Sequence, residues 1–76
     1  MTTVSYVYAK CTAGRRHYLQ NIFSGTRAEC NAFVKRRALQ GLPTHFLEVS
    51  SLDLTAATKK FCDGARFDPV EVCYFD

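Results

Sequence analysis

Residues 26–43 read TRAECNAFVKRRALQGLP, and this stretch decides the fold. Thr26 stands three residues before Glu29, the capping-box spacing in which each side chain accepts a hydrogen bond from the other residue's backbone N–H. A helix therefore starts at Arg27. On a 3.6-residue repeat Cys30, Phe33, Val34 and Ala38 gather on one side while Glu29, Lys35 and Arg36 lie elsewhere, so the helix is amphipathic and lays one stripe on a core. Gly41 suits the left-handed conformation that closes a helix, and Pro43 cannot continue it, which ends the helix near Gln40. Leu39 falls almost opposite Phe33 and Val34 on the wheel, and the last turn is expected to tuck it beside Leu42 and Pro43.

Strands are expected on both sides of this helix. Residues 3–11, rich in Tyr, Val and Thr, read as a strand with Val4, Tyr6 and Tyr8 on one face and Val7, Ala9 and Cys11 on the other. Gly14 supplies a positive φ for a short loop, and residues 16–24 resume a strand-like run, giving a hairpin. After the helix, residues 44–50 read as a third strand, with Leu47 and Val49 on one face. Residues 51–61 read either as a continuation of that strand through Leu52 and Leu54 or as a short helix capped by Asp53, and the helix is favoured. Residues 62–66 form a turn-rich connector, and residues 70–75 are β-branched and aromatic enough for a last strand. The order β-β-α-β-(short α)-β defines an α+β fold: a small two-layer domain, mainly antiparallel sheet under one main amphipathic helix, spanning 1–76 as a single domain.

Composition bounds the function. At 76 residues, 47% of them hydrophobic and 22% charged, the chain buries enough surface to offset its ordering entropy but is too short for two cores. No apolar run approaches the roughly 18 residues that cross a bilayer, and residues 1–6 lack the basic and apolar regions of a secretory signal, so a cytoplasmic location is expected. In that reducing setting Cys11, Cys30, Cys62 and Cys73 are expected to be free packing residues rather than two disulfides. The net charge of +3 is uneven: residues 1–40 hold seven basic side chains and one acid, and residues 41–76 hold three and six. A basic surface of this kind attracts nucleic acid or an acidic protein.

The chain carries no closely spaced Cys and His pairs, no phosphate-binding glycine loop, no serine nucleophile elbow and no HExxH helix. No metal, cofactor or catalytic residue is therefore expected, and the chain is read as a non-enzymatic protein. The candidate binding residues are Arg15 and Arg16 at the hairpin, Arg27 at the helix start, and Lys35, Arg36 and Arg37 on the helix. Successive helical residues point about 100° apart, so those last three cannot share one face. Tyr6, Tyr8 and Tyr18 join them if Val7, Ala9, Leu19 and Phe23 point inward, because the tyrosines then share an exposed sheet face opposite the helix. Exposed tyrosines beside cations suit a protein interface or nucleobase stacking. The leading expectation is an inhibitor or adaptor that covers a site on a larger protein or ribonucleoprotein complex. The alternative is a small nucleic-acid-binding domain using the basic helix and the sheet tyrosines.

In layout, with a hairpin around Tyr6 and Tyr18, a helix over residues 27–40 and strands near Leu47 and Val72, the chain resembles small phage-encoded anti-CRISPR proteins. The resemblance implies a phage protein that acts in a bacterial host by binding a Cas effector complex and blocking target DNA. The basic chain departs from the acidic, DNA-mimicking members of that group.

Overall fold

Local chemistry sets the two helices first. In the computed structural model, which describes residues 3–75, Glu29 N–H donates to Thr26 Oγ1 at 3.1 Å and Thr26 N–H donates to Glu29 Oε1 at 3.0 Å. The capping box thus opens α1 (Arg27–Leu39). Gly41, at φ +79°, closes it: Gly41 N–H reaches the Ala38 carbonyl and Leu42 N–H the Arg37 carbonyl, both at 3.0 Å, the Schellman pattern. The ambiguous stretch is helical, as favoured. Asp53 accepts from Ala56 N–H at 2.8 Å and starts α2 (Leu54–Cys62). The sequence readings of Met1, Thr2 and Asp76 lie outside the described residues.

Five strands form one antiparallel sheet in the order β3-β1-β2-β5-β4. They are β1 (Ser5–Ala13), β2 (Arg16–Gly25), β3 (Leu47–Ser50), β4 (Arg66–Asp68) and β5 (Cys73–Phe75). Gly14, at φ +65°, lets the β1–β2 hairpin turn in two residues. The α+β class with a main helix on an antiparallel sheet is therefore present. β1 runs Ser5–Ala13 rather than over the expected 3–11, and three later boundaries differ from the sequence reading. The third strand begins only at Leu47, the expected connector holds the start of β4, and the expected last strand shrinks to three residues because residues 69–72 turn between β4 and β5.

Although every pairing is antiparallel, β2, β3 and β4 run in the same direction. The chain crosses from β2 to β3 through α1 and from β3 to β4 through α2, in opposite directions along the sheet. Crossovers between strands of one direction share a hand only if opposite travel uses opposite faces. The helices obey this. α1 lies on the face of Val7 and Phe23, where Phe33 stacks on Phe23 at 4.7 Å. α2 lies on the face of Tyr8 and Leu19, where Ala57 completes their buried cluster and Phe61 sits 4.4 Å under the Lys10 ammonium. β1 is consequently covered on both sides, and Val7, Tyr8 and Ala9 are all buried. Burial of a side chain the size of Val7 contributes about 1.5–3 kcal/mol.

The molecule measures 34 × 34 × 17 Å. α1 packs over β3, β1 and β2, while α2 packs over β2, β5 and β4. This diagonal placement leaves the α1-side face of β5 and β4 without a helix.

Candidate binding surfaces

The sheet separates the three tyrosines rather than gathering them. Tyr8 is only 1% exposed, stacks on Tyr6 at 5.7 Å and donates its hydroxyl to the Leu52 carbonyl at 2.8 Å. Burial, then Tyr6 and Asp53, push its phenol up to about 12. Tyr8 is thus a core residue, and Tyr6 packs against the same cluster. Tyr18 pairs with Cys11 and Cys73 on the opposite face. The expected common tyrosine face fails because the two-residue hairpin turn fixes a register in which Tyr18 lies opposite Cys11, on the other face from Tyr8; farther along, β2 gains a residue at Ile22, where Val7 pairs with Phe23 but Tyr8 pairs with Asn21. That bulge reverses the alternation, so Phe23 faces α1 while Leu19 faces α2.

On α1 the packed stripe is Cys30, Phe33, Val34 and, instead of the expected Ala38, Arg37. Ala38 is exposed. Leu39 is not tucked away: it is 79% exposed, and Leu42 is 44% exposed. Arg27, Lys35 and Arg36 are exposed and form no ion pair among the described residues. The only acid of α1, Glu29, is engaged with Thr26, which holds its carboxyl below the usual range through the backbone hydrogen bond first and the side-chain bond second. The outward side of α1 therefore combines uncompensated cations with an exposed leucine.

The uncovered corner of the sheet holds a second group. Arg16, Phe75 and Arg66 form one row across β2, β5 and β4. The Arg16 guanidinium lies over the Tyr18 ring at 5.0 Å, and the Arg66 guanidinium over the Phe75 ring at 5.1 Å. Arg15 is exposed at the adjacent hairpin tip. Arg16 also donates to the Cys73 thiol, which raises its pKa further, and approaches Glu71 Oε2 at 3.8 Å. The Nε atoms of Arg16 and Arg37 are buried and have no acceptor among the described residues. Arg66 and Phe75 were not singled out in the sequence; the one signal for them was the alternation of Arg66, Phe67 and Asp68, too short to read as a strand.

Asp68, Glu71 and Cys73 bring one donor atom each within 4.8 Å of one another at the β4–β5 turn. Asp68 Oδ1 already accepts from the N–H groups of Val70 and Glu71, and Arg16 sits against Glu71 and Cys73. A cation there would face a guanidinium, so this cluster is a poor metal site. All four cysteines are free. Cys30 is buried, and that burial, with the nearby Glu29 carboxylate, pushes its thiol up, away from the reactive thiolate. Among the described residues no pocket opens for a small molecule, and no helix is long and apolar enough to cross a membrane. Comparison with protein-family models, with curated proteins and with solved structures found no match.

Proposed function

We propose that this chain is a non-enzymatic binding module, an inhibitor or adaptor that covers a site on a larger protein with the outward side of α1. The observation that carries this reading is Leu39, 79% exposed on a helix whose Lys35 and Arg36 have no acidic partner among the described residues. A leucine that finds no cover in its own chain, ringed by cations, matches an apolar hollow with an acidic rim. Nucleic-acid phosphates would use the cations but leave the leucine in water. The partner is therefore an acidic protein surface, and the mechanism is occlusion, which needs a rigid complementary face and no catalytic group.

Tagged protein recovered from its native host, analysed by native mass spectrometry, tests the reading. A saturable protein partner that is lost with Leu39→Asp supports it; absence of any protein partner, or retention by that variant, overturns it. A phage-encoded inhibitor of a Cas effector complex, acting in the cytoplasm of a bacterium, is the specific form suggested by the layout. Undiminished CRISPR interference in the native host would remove that form.

A further inference from the structure

We infer that the uncovered sheet corner is a second site, which binds a single-stranded polynucleotide through Arg16 and Arg66. Two separate observations converge on this face. First, the guanidinium groups of Arg16 and Arg66 lie over Tyr18 and Phe75 at 5.0 and 5.1 Å, an arrangement that holds both groups in place. Guanidinium planes and aromatic rings are the two surfaces on which unpaired bases stack. Second, Arg16 and Arg66 stand on β2 and β4, two strands apart in one row, so their backbones are separated by roughly 10 Å. That spacing suits an extended strand lying across β5.

The charge on this face favours a polyanion. Among the described residues Arg15, Arg16 and Arg66 oppose Asp68 and Glu71. Asp68 is turned into its own loop, where it accepts from Val70 and Glu71. The Arg16–Glu71 contact, at 3.8 Å and exposed on both sides, is weak enough for a phosphate to replace. The flat, helix-free corner admits a strand whose bases are splayed; a duplex keeps its bases stacked and out of reach of the rings.

Fluorescence anisotropy with labelled oligo-dT and oligo-rU of about 20 nucleotides tests the site on the intact chain. Saturable binding at low salt is expected, with log affinity falling against log salt at a slope of about −2, as for three phosphates. Arg66→Gln, at an exposed position, is expected to weaken binding about tenfold and to flatten the slope by about 1, with unchanged thermal unfolding. Arg16→Gln should act alike, and if it unfolds the chain Arg66→Gln decides alone. The double change Lys35→Gln and Arg36→Gln should leave binding within about threefold, since those cations lie on α1's outward side. Binding to dT but not rU, or the reverse, supports the site and names the sugar it accepts. No binding at low salt, equal loss in the helix variant, or equally effective competition by polyglutamate would overturn the inference and leave the α1 proposal standing.

Discussion

Asn21 on β2 donates its side-chain amide to the Val7 backbone carbonyl of β1 at 3.4 Å and to the Phe23 carbonyl at 3.0 Å, bridging the point where β2 carries one residue more than β1. The bulge lets Phe23 reach α1 while Leu19 reaches α2. Asn21→Ala should cost about 1 kcal/mol, the worth of such hydrogen bonds. Deleting Ile22 should be far worse, because it returns one half of β2 to the wrong face. Urea unfolding of both variants checks this; a deletion as stable as Asn21→Ala would contradict it.

Tyr8→Phe removes the hydroxyl that reaches the Leu52 carbonyl and is expected to destabilise by about 1–2 kcal/mol. It should also alter the alkaline limb. A phenol held near 12 when folded, against its ordinary 10, stays protonated after the unfolded chain has ionised. Stability due to Tyr8 is complete below pH 10 and is lost as pH rises through 12. Thermal melts across that window should fall less steeply in Tyr8→Phe than in the parent.

Thr26→Ala should lower stability by about 1 kcal/mol, whereas Thr26→Ser, which keeps the oxygen, should cost little. Because Thr26 depresses the Glu29 carboxyl, the capping contribution is present above the usual carboxylate range and fades as pH falls through the folded value. Melts at neutral and acid pH should show the parent and Glu29→Gln converging in acid, whereas Thr26→Ala, which keeps the backbone N–H that bonds Glu29 Oε1, should stay below the parent throughout.

Val72 sits at φ +53°, a left-handed conformation that strains a β-branched side chain, in the turn between β4 and β5. Val72→Gly is expected to stabilise by about 1 kcal/mol, with the relieved strain outweighing the entropy of glycine. Differential scanning calorimetry reads the sign directly, and a lower melting temperature would refute it.

Leu39→Asp should leave stability within about 0.5 kcal/mol, since the side chain is already in water. A larger loss in chemical denaturation would show that Leu39 supports the fold and would remove the feature on which partner binding rests.

Much of this molecule was legible where neighbours in sequence are neighbours in space. The capping box at Thr26 and Glu29, the stop at Gly41 and the Asp53 cap are bonds between residues one turn apart, so spacing alone reveals them. Leu47 and Val49 share a face as their alternation requires, opposite Ala9 and Val7. β4 escaped because three residues are too few for a period, and its turn spends four more. Arg37 displaced Ala38 from the packed stripe because a long side chain can lay its methylenes on the sheet, a choice the helical wheel does not make.

The sequence by itself determined the class of fold, the main helix, the hairpin and the supply of cations, and favoured the second helix through its Asp53 cap, because these rest on local hydrogen bonds and composition. Tertiary structure decided which side chains are available to a partner. The two-residue hairpin turn put Tyr18 on the sheet face opposite Tyr8, and packing α2 on the face of the sheet opposite α1 put Tyr8 in the core. The same diagonal packing left Leu39 uncovered and brought Arg66 and Phe75 beside Arg16 and Tyr18. Residues this far apart in the chain meet only through strand register, which one inserted residue shifts from face to face.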